Sequence, residues 1–358
     1  MTKKILALLL SALMIFGCAG VSAFAAESGA VSLAAGHEAL QAQFQKGVGP
    51  ETNGYSIDYR YYSPVSDGDT EKYPLVIWIH GMGDGAYEGK QIEDYNFVNW
   101  SSAEYQARFK NSSGAFLFAP RSVEEKMIFW DDSMIEPLRA ALDDFIVKHA
   151  DNIDLTRIYI GGYSMGGKMT LKMAVAYPEM FAAAFPICPA WALTDEYAPY
   201  LADMPIWLTS GKQDPLVNYA ASVAPTWKKI VAASNNPTNC RFSTLSQTSE
   251  PDGSSAPSGH HAWIAVGNDM FSSTDGDYPN MTTVDGKGNA VVLTYPDGMI
   301  SWISSFTSDY DGTPGKGSGN IVPAEDNLFS FGTIKNFFRS LISFLVQLFK
   351  ILAGFLIR

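Results

Sequence analysis

Ser164 stands in the pentapeptide Gly162-Tyr163-Ser164-Met165-Gly166, a Gly-x-Ser-x-Gly pattern. A serine hydroxyl is a weak nucleophile until a neighbouring base takes its proton, so the chemistry implied is histidine-assisted attack on an acyl carbon. The pattern is short and needs context. An apolar, strand-like run at 157–160 precedes it, and a helical run begins at Met165. A tight strand-to-helix turn requires small flanking residues, because larger side chains would strike the neighbouring backbone. It also sets the hydroxyl at the positive end of the helix dipole. A phosphate cradle fits less well, since the turn has neither the Lys-Ser/Thr of a P-loop nor Gly-x-Gly-x-x-Gly. Ser164 is therefore the candidate nucleophile.

In a strand-turn-helix site of this kind the acid and the base follow the serine, each just beyond a later strand. Asp214 meets that requirement, in a loop after the apolar run 205–208. The five histidines are His37, His80, His149, His260 and His261. His37 precedes the first buried strand, His80 reads as a structural hydrogen-bonder, and His149 ends a helix, where a cation suits the dipole. That leaves the adjacent pair His260 and His261 as candidate bases, with spacing alone not separating them. An oxyanion formed on the substrate needs two backbone N–H donors. Met165, next after the serine, is one candidate, and Met82, between Gly81 and Gly83 in the loop after an early strand, is the other.

These residues must be held by a scaffold, and the chain supplies one. Apolar runs at 74–80, 115–119, 157–160, 183–187 and 205–208 read as strands buried on both faces, and 55–62 as an antiparallel strand. Helical stretches at 102–109, 134–149, 165–176 and 219–234 separate them. Strands alternating with helices of this length give an α/β fold with a mostly parallel sheet and right-handed crossovers. After Trp263 the rhythm breaks. A polar stretch over 268–296, with an Asp285-Gly286 turn before the apolar run 290–295, reads as an insertion or hairpin, followed by a last helix over 298–306.

The chain has 358 residues, 47% of them hydrophobic and 17% charged, enough to bury a sizeable core. Its net charge of −12 repels phosphate backbones and excludes nucleic acid as a partner. Lys3, Lys4, the apolar run 5–16 and the Ala23-Phe24-Ala25 site read as a secretory signal peptide over 1–25. Ile15-Phe16-Gly17-Cys18 offers a lipoprotein-type alternative, weakened by the bulky Phe16. Cleavage after residue 25 would remove two lysines and no acid, taking −12 to −14. Cys188 and Cys240 would then remain, either paired or as small buried apolar residues.

At the other end, 308–327 has the Gly, Pro, Ser and Asp content of a linker. Over 328–358, Lys335, Arg339, Ser343, Gln347, Lys350, Gly354 and Arg358 recur every three or four residues among phenylalanines and leucines. All charges there are positive. The pattern predicts an amphipathic helix lying in a membrane interface rather than a span, because Gln347 and Lys350 would fall in the hydrocarbon. Metal-binding spacings are lacking: there is no His-Glu-x-x-His, no spaced Cys/His set and no calcium loop. No cofactor is expected.

Taken together, His80-Gly81 after an early strand, Gly-Tyr-Ser-Met-Gly-Gly, Ser210-Gly-x-x-Asp214 and Gly259-His260-x-x-Trp263 resemble secreted α/β-hydrolase esterases. The resemblance is to the polyhydroxybutyrate-depolymerase and feruloyl-esterase-like group, which grades into prolyl-oligopeptidase-like catalytic domains. It covers roughly residues 50–308, within a catalytic domain placed at 32–307. It implies an α/β-hydrolase fold and selects His260, giving the triad Ser164, Asp214 and His260 with Met82 and Met165 at the oxyanion hole. Trp130 and Trp263 are candidates to line the pocket. The expectation is an exported serine hydrolase of small-molecule or polymer-linked carboxylic esters. A serine peptidase on the same scaffold and a silent membrane-associated binding protein are the alternatives.

Overall fold

The computed structural model describes residues 30–93, 95–122, 130–249, 254, 256, 258–271, 280–294 and 296–313. The expected leader, residues 314–327 of the linker, and the cationic tail lie outside them. Helix α1, Ala30–Gln41, belongs to an amino-terminal unit that ends at Gln43. The second unit begins at Phe44 and is built on one sheet.

Its strands are β1 Gln45–Val48, β2 Asp58–Tyr62, β3 Tyr73–Ile79, β4 Phe116–Pro120, β5 Ile153–Tyr163, β6 Ala183–Ile187, β7 Trp207–Gly211, β8 Arg241–Leu245 and β9 Met281–Asp285. They lie in the order β1-β2-β4-β3-β5-β6-β7-β8-β9. From β4 through β8 every neighbouring pair is parallel, while β1, β2 and β9 are antiparallel additions at the two edges. The helices of this unit are α2 Tyr95–Val98, α3 Ala103–Gln106, α4 Ile135–Lys148, α5 Met165–Ala176, α6 Ala224–Ala233, α7 Trp263–Gly267 and α8 Met299–Ile303.

All seven residues of β3 are buried, which explains its unbroken apolar sequence: both faces are covered. Leu75, Ile77 and Ile79 join one core cluster with Leu138, Leu142 and Phe145 of α4 and Met169 of α5. Trp78, pointing the other way by the strand's two-residue period, stacks on Phe97 at 5.0 Å and meets Trp100 edge-on.

The expected strands are present, with differences that have physical causes. β5 runs through Gly161 and Gly162, which read as loop residues in sequence. β1 and β8 are short and part polar. β9 precedes the Asp285-Gly286 turn and pairs with β8 through bonded hydroxyls, Ser243 Oγ to Thr283 Oγ1 at 2.7 Å. Of the apolar run at 290–295, Ala290 forms a single bridge with Val284. Pro225, which lacks an N–H, sits in the first turn of α6, and a π turn at Tyr219–Val223 precedes it. At the end of the body, Ser308 N–H donates to Thr156 O at 2.8 Å, and the buried Tyr310 accepts from Arg139 at 3.0 Å. The segment thus leaves the body later than its composition suggests.

Candidate active site

Four loops meet at the carboxyl ends of β3, β5, β7 and β8, where α/β sheets place their ligands. Between β5 and α5 stands Ser164, with φ 56° and ψ −115°, a conformation costing a non-glycine residue roughly 1–3 kcal/mol. Neighbouring backbone holds it there. Ser164 N–H donates to Ile187 O, and Ser164 O accepts from Lys168 N–H and Ala190 N–H, each at 3.0 Å. A Cβ on Gly166 would lie 2.0 Å from Ile79 O and 2.5 Å from His80 O. Only glycine lets the helix start so close to the end of β3.

Asp214 and His260 come together because their loops touch backbone to backbone. A Cβ on Gly211 would lie 2.0 Å from Gly259 O, and one on Gly259 would lie 2.5 Å from the Gln213 carbonyl. Asp214 Oδ1 accepts from Leu216 and Val217 N–H at 2.8 Å each, which fixes the carboxylate. Its Oδ2 accepts from His260 Nδ1 at 2.6 Å. A carboxylate facing Nδ1 places the ring proton there and leaves Nε2 with a lone pair. Burial works to lower the His260 pKa, but the Cys188 sulfur and the Asp214 carboxylate beside the ring outweigh it, and the value is raised above 6.5.

The histidine loop is anchored at both ends. His260 N–H donates to Ser258 Oγ at 3.2 Å, and Thr248 Oγ1 donates to Ser258 O at 2.6 Å. Beyond it, Trp100 Nε1 donates to Gly267 O at 2.9 Å, Tyr105 to Asn268 O at 3.0 Å, and Arg108 pairs with the buried Asp269 at 3.0 Å. His261 is not at the carboxylate; its Nδ1 meets Ser258 Oγ at 3.0 Å.

Met165 is the first residue of α5, where a backbone N–H has no intrahelical acceptor. The loop carrying Met82 passes the elbow closely: a Cβ on Gly81 would lie 3.6 Å from Ser164 Cβ. Met82 itself is 36% exposed. His80 shapes this loop. Its Nδ1–H donates to Gly81 O at 2.6 Å and its Nε2 accepts from Ser122 N–H at 3.1 Å, so the ring is neutral. Burial pushes its pKa down to about 4.

Trp130 is placed differently from its expected role. It is 1% exposed, and its Nε1–H donates to His80 O at 3.1 Å. The indole supports the Met82 loop rather than lining an open pocket. Trp263 is partly exposed, stacked on Tyr163 at 4.5 Å and edge-on to His260 at 5.3 Å. His149 is also corrected: its ring packs on Phe145 at 4.5 Å and burial lowers its pKa, which favours the neutral form over the cation.

Two contacts here had no signal in the sequence. Tyr163 OH donates to Asp84 Oδ2 at 2.6 Å, joining elbow to oxyanion loop. Cys188 is a free, buried thiol beside His260. Cys240 lies at the amino end of β8, whereas Cys188 follows the carboxyl end of β6, so the two cannot pair. Donor atoms of Cys188, Asp214 and His260 lie within 4.8 Å of one another. That set could ligate a metal ion, although Asp214 and His260 already bind each other.

The sheet order, the elbow and the loops at its carboxyl edge define an α/β-hydrolase of the esterase type. The profile of the phospholipase/carboxylesterase family matches residues 61–252, and the chain belongs to that family. It is similar to a probable carboxylesterase of rice (Oryza sativa subsp. japonica), 24% identical over 45% of this chain and 67% of that one. It is also similar to a poly(3-hydroxybutyrate) depolymerase of Ralstonia pickettii, 28% identical over 36% of this chain and 28% of that one. Among solved structures, a thermostable esterase superposes with a TM-score of 0.54 at 27% identity, over 64% of this chain and 61% of that chain. The chain thus spans less than two thirds of the depolymerase and of the thermostable esterase.

Proposed function

We propose that the protein hydrolyses carboxylic esters through an acyl-enzyme on Ser164. The observation that carries this reading is the 2.6 Å bond from His260 Nδ1 to Asp214, at the sheet edge where Ser164 occupies its strained turn. Nε2 of His260 takes the serine proton as Oγ attacks the acyl carbon, and returns it to the departing alcohol. The backbone N–H groups of Met165 and Met82 receive the oxyanion, and water then releases the acid by the reverse path. Family membership supports an ester over an amide. Partial similarity to the depolymerase makes polymer-linked 3-hydroxyacyl esters one substrate to test beside small esters.

The test is labelling with a fluorophosphonate followed by peptide mapping, together with turnover of aryl esters, poly(3-hydroxybutyrate) and peptide anilides. One adduct on Ser164 and ester turnover lost in Ser164→Ala are expected, with an unchanged melting temperature within a few degrees. Full activity in Ser164→Ala, or no adduct on folded protein, would remove the proposal. The sequence of the two ends supports an exported enzyme whose cationic tail meets a membrane surface. Among the described residues no helix is long and apolar enough to cross a membrane.

A further inference from the structure

Cys188 is the residue the hydrolytic scheme leaves unused, and its surroundings are unusual for an inert core thiol. It follows β6 directly, between the two strands that deliver Ser164 and Asp214. Ile187 O accepts from Ser164 N–H, and Cys188 N–H donates across to Thr209 O on β7 at 2.8 Å. Its φ is +35°, in the region that favours glycine. Glycine would relieve that strain but would place nothing where the sulfur is. The thiol is 0% exposed, and Sγ–H donates to the His260 carbonyl at 3.5 Å. The sulfur, a carboxylate oxygen of Asp214 and a ring nitrogen of His260 lie within 4.8 Å of one another.

We propose that Cys188 is a positioning residue for the His260–Asp214 pair, its proton fixing the histidine backbone and its sulfur filling the flank of the Nδ1···Oδ2 bond. This rests on the hydrolytic reading of the site. A polarizable sulfur there stabilises the imidazolium formed when Ser164 gives up its proton, and it keeps a competing water from the bond. The other groups facing the ring are the Asp214 carboxylate, whose charge favours the imidazolium, and His261, whose own charged form is disfavoured by burial and then by His260. Both remain when the sulfur is removed, so its share can be isolated.

The experiment compares wild type, Cys188→Ala and Cys188→Ser in the full chain, with Ser164→Ala as the inactive reference. Each is followed by kcat and KM against pH, by the low-field proton resonance of His260 Nδ1–H, and by thermal melting. In Cys188→Ala, kcat should fall about tenfold, the scale of a small misalignment of a base, with KM nearly unchanged. Its acid limb should move to lower pH, because a less stabilised imidazolium loses its proton sooner, and the resonance should shift upfield. Cys188→Ser, with a shorter donor, should fall between. A folded Cys188→Ala with the wild-type acid limb and resonance overturns the inference, even if kcat drops, since that loss would be merely structural. If alanine at this position does not fold, the same two readouts in Cys188→Ser decide. Failure of wild type to turn over esters or to be labelled at Ser164 would instead be failure of the hydrolytic reading.

Discussion

His260 faces two demands: it must be neutral to accept the serine proton, and it must tolerate charge once it has done so. The carboxylate at 2.6 Å answers the second and thereby strains the first. Its pKa is raised above 6.5 despite burial, so the free enzyme holds the imidazolium form to a higher pH than an ordinary histidine does. Since only the neutral ring acts as base, kcat/KM should rise with pH along an acid limb lying above 6.5, the histidine reference value. A pH profile of kcat/KM checks this; an acid limb at or below that value would contradict it. His80 takes the opposite course. With both ring nitrogens bonded and its pKa pushed down to about 4, it stays neutral across that range and adds no limb of its own. Two histidines on one chain thus divide into a base and a brace: burial drives the His80 pKa down against its Gly81 carbonyl bond, whereas at His260 the Cys188 sulfur and the Asp214 carboxylate outweigh burial.

At the scale of elements, the site depends on loops approaching more closely than side chains permit. The Asp214 and His260 loops meet through Gly211 and Gly259, and a Cβ on Gly259 would sit 2.9 Å from Asp214 N. Because the obstructing atoms are backbone, they cannot rotate aside. Gly259→Ala should separate the acid from the base, lowering kcat about 100-fold and costing about 1–3 kcal/mol of stability. Stopped-assay kinetics and melting read the two effects together; an alanine variant with wild-type kcat would show that the contact is not what sets the pair. The same element logic explains what could be read from the sequence. Ser164 and Asp214 were legible because each follows a strand, β5 and β7, that ends in buried residues and carries a hydrophobic run as a local signal. His260 was legible only as one of two neighbours until Trp263 was counted with it. Cys188 was not legible, because its partner is 72 residues away and its role depends on the turn after β6. The antiparallel edges were also obscure, since β1 and β9 are part polar and gain their shape from a neighbour rather than from their own pattern.

For the whole molecule the question is electrostatic: how an acidic body, net −12 with its basic ends included, would work beside an anionic membrane. The sequence of 328–358 carries Lys335, Arg339, Lys350 and Arg358 and no acid. At about 1 kcal/mol per cation near an anionic leaflet, four of them contribute roughly 4 kcal/mol before any apolar side chain is buried. Repulsion of the body fades over a Debye length of about 8 Å in physiological salt. A flexible chain of fourteen residues, the number from 314 to 327, would reach roughly 20 Å on average, more than twice that length. The two ends of the chain are therefore compatible with a tethered enzyme whose catalytic edge stays in water. The full chain should sediment with phosphatidylglycerol vesicles and bind phosphatidylcholine vesicles more weakly, with the difference shrinking as salt rises. Removal of 328–358 should abolish sedimentation and leave turnover of a soluble aryl ester unchanged. Equal binding with and without those residues would refute the tether, and loss of soluble-ester turnover on removal would mean that the tail packs on the enzyme's own body instead.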